Sequence, residues 1–171
     1  MRSTTGIATV VLSLLLAAGA QAVEQGEVAP SWQAQDFSGR RVEFPALLDG
    51  KPTVVVFWAT WCPYCKAFMP ELARIQADYS DRINVLTINA KEDGEGDPAA
   101  YIAGLGFDSI AVADGDEIAA AYGVQYIPGL MVIDPSGTVA FRRAWTDLPA
   151  GETVARFWSR QVRKSLDQLL D

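Results

Sequence analysis

Six consecutive residues, Thr53-Val-Val-Val-Phe-Trp58, carry only β-branched or aromatic side chains. A run with no side to turn to water reads as a central strand buried on both faces, and such a strand needs elements packed above and below it. Cys62-Pro63-Tyr64-Cys65 follows at once, and then Ala67, Phe68, Leu72, Ile75 and Tyr79 recur at helical spacing. Residues 63–79 are therefore expected as a helix that begins at Cys62 and is kinked at Pro70. The rest of the chain alternates around this unit. Residues 32–44 read as a hairpin around Ser38-Gly39-Arg40, 45–50 as a helical turn and 83–89 as a second buried strand. A polar loop from Lys91 to Pro98 leads to a short helix at 99–105, a short strand at 110–113 and a helix at 117–122 stopped by Gly123. Residues 130–144 form a hairpin turning at Pro135-Ser136-Gly137. A last helix at 152–170 carries Val154, Phe157, Trp158, Val162, Leu166, Leu169 and Leu170 on one stripe, with Arg156, Arg160, Arg163 and Lys164 on its wet face. Strands alternating with helices, then a hairpin and a closing helix, give a mixed α/β sandwich.

The first 22 residues stand outside that domain. Arg2 precedes a nearly continuous apolar stretch at 7–18, and Ala20-Gln21-Ala22 is a small-residue cleavage site. This is the pattern of a secretory signal peptide, which leaves residues 23–171 as one domain. The apolar stretch is shorter than the roughly 20 residues of a membrane span. The formal charge of −7 becomes −8 when Arg2, the segment's one charge, is removed. An acidic domain without a basic stripe does not suit nucleic acid. The compartment expected is the oxidising periplasm, where stray thiols pair. The chain has two cysteines and no histidine, which excludes Cys–His and Ser–His catalysis.

A disulfide between Cys62 and Cys65 would close a very small loop, worth about 1.9 kcal/mol by chain entropy against about 4.7 for a hundred-residue loop. A zinc site or an iron–sulfur cluster would need more Cys or His ligands than the chain has, so no metal or other cofactor is expected. A chemical role accounts for the spacing better. With Cys62 capping the helix, Pro63 falls at the first helical position, where its missing N–H costs nothing. The amides of Tyr64 and Cys65 then point at the Cys62 sulfur and, with the helix dipole, favour negative charge there. Cys65, one turn on and more buried, is placed to resolve a mixed disulfide formed at Cys62. Asp93-Gly-Glu-Gly-Asp97 lacks the glycine and closing glutamate of a calcium loop and reads as a solvated acidic loop.

The chain resembles thioredoxin-fold proteins, and more closely the secreted TlpA/ResA-type thiol–disulfide oxidoreductases. The likeness lies in Ala29-Pro30 with Trp32, Phe37 and Gly39, in Phe57-Trp-Ala-Thr-Trp-Cys-Pro-Tyr-Cys65, and in Met69-Pro-Glu-Leu72. It continues in Tyr122-Gly-Val-Gln-Tyr-Ile-Pro128 and Val132-Ile-Asp-Pro-Ser-Gly137, with residues 97–114 as the helix–strand insert. The resemblance implies a central mixed β-sheet flanked by helices, an N-terminal β extension, and a cis Ile127–Pro128 bond beside Cys62. It implies catalysis by Cys62 and Cys65, substrate binding by Trp61, Pro63, Tyr64, Ile127 and Pro128, and protein thiols or disulfides as partners. It favours a monomeric reductase recharged by a membrane-embedded electron donor, with cytochrome c maturation as one client pathway. A dithiol oxidase or isomerase, and a binding or chaperone module with an idle disulfide, are the alternatives. Three positions depart from the relatives' pattern: Val56 stands where thioredoxins keep a buried acid, Thr87 where they keep its lysine, and Phe68 where many TlpA-type reductases keep a glutamate. Glu71, Glu92 and Asp93 are the carboxylates left as candidates for accepting the Cys65 proton. Pro63-Tyr64 is the dipeptide of many glutaredoxins, whose potentials run from about −200 to −230 mV against about −270 mV for thioredoxin, so the direction of electron flow stays open.

Overall fold

The computed structural model describes residues 22–143 and 152–171. The expected signal segment lies outside the described residues except for Ala22, as does Ala144, the last residue of the expected hairpin. In chain order the elements are β1 (Trp32–Gln35), β2 (Arg41–Phe44), β3 (Thr53–Trp58), α1 (Pro63–Tyr79), β4 (Asn84–Asn89) and α2 (Pro98–Gly104). Then follow β5 (Ile110–Val112), α3 (Asp116–Ala121), β6 (Gly129–Ile133), β7 (Val139–Arg142) and α4 (Val154–Leu170). The elements are those expected, with boundaries moved by a residue or two. The second strand starts at Asn84 rather than Ile83, and β6 takes in Gly129.

β3 lies in the middle of a five-stranded sheet ordered β5-β4-β3-β6-β7. It pairs in parallel with β4 and antiparallel with β6, so the sheet is mixed. From Val54 to Trp58 no residue of β3 is more than 1% exposed, as an unbroken β-branched and aromatic run requires. Burying side chains of this size contributes about 1.5–3 kcal/mol apiece. Alternate residues enter different cores. Val54, Val56 and Trp58 meet α1 and α4, while Val55 and Phe57 meet Leu86, Ile88, Tyr122 and Met131.

β1 and β2 form a separate hairpin, the N-terminal extension, joined to the main sheet by bridges Val28↔Thr138 and Asp36↔Val112. Trp32 stacks on Phe44 with ring centres 5.9 Å apart and donates its indole N–H to the Tyr122 hydroxyl at 3.1 Å. That hydroxyl in turn donates to the Pro30 carbonyl at 3.0 Å. α1 runs through Pro70, and its C-terminal end is clasped by α4: the Tyr79 hydroxyl donates to Asp167 and Arg163 pairs with Asp78 at 2.7 Å. Arg163 therefore does not belong to a plain solvated face. It leans over the Tyr79 ring and keeps only 28% of its side-chain exposure. The Phe44–Pro45 bond is cis, a feature with no counterpart in the sequence reading.

Candidate active site

The strand–turn–helix unit sets the cysteines. Cys62 is the N-cap of α1, with φ −80° and ψ 111°, and Pro63 opens the helix. The Cys65 amide donates to the Cys62 Sγ at 3.3 Å, so a free N–H at the positive end of a helix falls on this sulfur. On its other side the Cys62 thiol faces the Ile127 carbonyl oxygen at 3.8 Å. The Ile127–Pro128 bond is cis. Proline offers no N–H of its own to the site.

Burial does not separate the two thiols as the sequence reading expected. Cys62 is 2% exposed and Cys65 is 1%. Their surroundings do separate them. Cys62 accepts the helix amide, whereas burial, followed by the Cys62 sulfur, pushes the Cys65 thiol far above its ordinary value. Around this covered pair stand exposed aromatics: Trp61 (47%), Tyr64 (57%) and Tyr126 (67%). Pro63 is exposed beside them, Ile127 is half-buried and Pro128 is buried. The five expected substrate-contact residues thus lie at one place, and Tyr126 joins them.

The approach to Cys62 is braced by a carboxylate. Glu92 accepts from the Thr60 amide at 2.9 Å, from the Thr60 hydroxyl, and from the Asn89 side-chain amide at 2.9 Å. Burial pushes the Glu92 carboxyl up, but these hydrogen bonds outweigh it and hold the group below its ordinary value. Trp61 donates its indole N–H to the Lys91 carbonyl at 2.7 Å, fixing the ring over the turn. The acidic loop is not simply solvated: a Cβ on Gly96 would fall 1.8 Å from the Thr60 Oγ1, so only glycine allows this approach. Of the carboxylates considered for the Cys65 proton, Glu92 is committed to Thr60 and Asn89, Glu71 to Arg74, and Asp93 accepts from the Glu95 amide. Val56 and Phe68 are both fully buried and put no charge beneath Cys65.

Two residues absent from the sequence reading complete the surroundings. Tyr101, from α2 in the insert, packs against Trp58 with ring centres 5.2 Å apart; burial and then the fields of Cys65 and Cys62 push its hydroxyl up. Arg143 lies just past β7, where its amide donates to the Leu130 carbonyl at 2.9 Å. Its Nε donates to the Pro128 carbonyl at 3.0 Å. Plain register counted back from Pro135-Ser136-Gly137 would set Arg143 opposite Gly129; the irregularity at Val132–Ile133 moves it opposite Leu130 and so to the cysteine face, and Tyr101 has no local signal at all.

Two thiols one helical turn apart on a central strand–helix unit, beside a cis-proline, define a thioredoxin-like dithiol protein. Over residues 25–142 the chain matches the AhpC/TSA family, to which it belongs, among the thiol–disulfide oxidoreductases of the ResA and DsbE type. It is 30% identical over 126 residues to the thiol-disulfide oxidoreductase ResA of Bacillus subtilis, covering 71% of this chain and 68% of that one. It is 28% identical over 142 residues to the thiol:disulfide interchange protein DsbE of Escherichia coli, covering 81% and 71%. The crystal structure of the thioredoxin domain of a thiol-disulfide oxidoreductase from Bacteroides vulgatus superposes with a TM-score of 0.69 over 88% of this chain and all of that one. At 17% identity that likeness speaks for the fold alone.

Proposed function

We propose that the protein is a periplasmic protein-disulfide reductase, exported by its first 22 residues, acting as a monomer and recharged by a membrane-embedded electron donor. The observation that carries the reading is the Cys62 sulfur held between the Cys65 amide at 3.3 Å and the Ile127 carbonyl at 3.8 Å. In this scheme the Cys62 thiolate attacks one sulfur of a substrate disulfide, and the other leaves as a thiolate that takes up a proton. Cys65 then loses its proton and attacks the Cys62 Sγ, expelling the second substrate thiol. The protein ends as a Cys62–Cys65 disulfide and the substrate as a dithiol, so two electrons and two protons have moved to the substrate. Trp61, Tyr64 and Tyr126 offer flat apolar surface to the substrate chain, and the backbone at Ile127–Pro128 receives it.

The resemblance to the TlpA/ResA type favours the reducing direction, and Cys65 does not oppose it. A strong dithiol oxidant owes its potential to stabilisation of its reduced form. Cys65, pushed up by burial and by the neighbouring sulfur, stays protonated and adds no thiolate stabilisation to the reduced state. Reduced protein should turn over insulin disulfides, and Cys62→Ser should abolish that turnover. Cys65→Ser should hold client proteins as mixed disulfides on Cys62. A measured potential near about −120 mV would overturn the reducing direction.

A further inference from the structure

We propose that Arg143 is a positioning residue for the thiol exchange: its guanidinium supplies the positive field in which Cys65 gives up its proton, while its Nε pins the Pro128 carbonyl beside Cys62. The proposal rests on the dithiol scheme above and adds to it a charge that eases the resolving step.

The seat of the side chain carries the argument. Arg143 extends the β6–β7 ladder by one residue and turns its side chain to the face that holds the cysteines. Its Nε donates to the Pro128 carbonyl, and its Cζ lies 4.8 Å from the centre of the Trp158 ring. Trp158 meets Phe68 and Tyr64, both on α1, at ring-centre distances of 6.2 and 6.4 Å. One guanidinium thus joins the cis-proline segment, the closing helix and the first turns of the cysteine helix. It does so without an ion pair: Arg40, Arg41, Arg74, Arg160 and Arg163 each meet a carboxylate, and Arg143 meets none among the described residues.

A cation drawn partly out of water with no counter-charge is costly, unless the site itself generates an anion. Here the anions are the sulfurs. Burial pushes the Arg143 guanidinium down, while the fields of Cys65 and then Cys62 push it back up. The same field acts in reverse on Cys65, where it adds to the larger effect of the Ala59 backbone hydrogen bond in opposing the rise caused by burial and by Cys62. Among the described residues, the other titratable group from a packed element whose field couples to Cys65 is the Tyr101 hydroxyl of α2, which is pushed up and so uncharged. Arg142, next in the chain, turns away and donates to the Tyr122 and Gly123 carbonyls, each at 3.0 Å. During resolution the Cys65 proton passes to solvent and its thiolate sulfur bonds to Cys62 Sγ. The Cys62–substrate bond breaks, and the departing thiolate takes a proton from solvent. Arg143 changes neither charge nor bonding and stabilises only the transient thiolate.

The test uses the full reduced chain and an aromatic disulfide whose released thiolate is coloured, followed by stopped flow. Attack by Cys62 releases a first thiolate, and resolution by Cys65 releases a second. Arg143→Gln, which keeps a donor for the Pro128 carbonyl but no charge, should slow the second phase about threefold or more at neutral pH, the equivalent of half a pKa unit. It should also move the pH profile of that phase upward, and Arg143→Lys should restore most of the rate. A second phase slowed less than threefold by Arg143→Gln would overturn the proposal while leaving the dithiol reading intact. Absence of any second phase in the unaltered protein would sink both. Should Arg143→Gln fail to fold, Arg143→Lys decides: a second phase within threefold of the original supports the charge role, and a larger loss overturns it.

Discussion

Alternate residues of β3 lead into two cores that are equally apolar and differently finished. On the face of Val55 and Phe57, the polar groups that enter are matched: Trp32 donates to Tyr122, Tyr122 donates to Pro30, and Arg142 satisfies the carbonyls of Tyr122 and Gly123. On the face of Val54, Val56 and Trp58, the matching is incomplete. Among the described residues, the Trp58 indole N–H and the Thr87 hydroxyl are buried without a partner and Arg143 meets no carboxylate. Register sets Thr87 beside Val56, on the cysteine side. One face is finished as scaffold; the other, which holds Cys62 and Cys65, leaves polar groups unpaired. That is the distribution expected when stability is conceded at a site and recovered elsewhere.

Substitutions on the two faces can break or sharpen this contrast. The largest effect should come from Phe68→Ala, which opens a cavity between α1 and Trp158 and should cost about 3–5 kcal/mol in urea unfolding of the reduced protein. A cost below about 2 kcal/mol would show that this face collapses easily and is the softer of the two. Next, Tyr122→Phe removes a hydroxyl that both accepts and donates, and should cost about 1–2 kcal/mol on the matched face. Thr87→Val removes a hydroxyl with no partner, and should be neutral or stabilising by up to about 1 kcal/mol. Similar costs at the two positions would mean that the faces do not differ in the way described.

The smallest effect concerns pH. Glu92 is held below its ordinary value, so its contribution is present above that value and fades as pH falls through its lowered, folded-state value. Stability curves of the unaltered protein and of Glu92→Gln should therefore converge on acidification. Curves that run parallel from neutral to acid pH would remove Glu92 as the brace of the Thr60 turn.

What was legible in the sequence was local. The limits of β3 and α1 fall at the expected residues because a β-branched run and a proline after a capping cysteine are signals the chain carries on its own. The Cys62–Cys65 pair and its aromatic neighbours follow from the same motif-bearing stretch, whereas the cis bond at Pro128 is expected only from the family resemblance. What escaped depends on how distant segments meet. Tyr101 reaches the site only because α2 lies over Trp58. Arg143 matters because of the register shift within its hairpin and the ring it covers, neither of which its neighbours in sequence announce. The wet face of α4 was misjudged at Arg163 for the same reason, since Asp78 and Tyr79 come from another helix.

The consecutive arginines at the end of the last hairpin have a consequence for how this chain can vary. Successive strand residues face opposite sides, so Arg142 grips the beginning of the cis-proline segment at Tyr122 and Gly123 while Arg143 grips its end at Pro128. Which arginine serves which side is decided by the number of residues in the turn at Pro135-Ser136-Gly137 together with the register irregularity at Val132–Ile133. Adding or deleting one there would exchange the two sides. The same slip would turn Phe141 and Val139, which pack on opposite faces, toward the wrong cores and would carry one arginine two residues from its present seat, so both faces together fix the length of this turn.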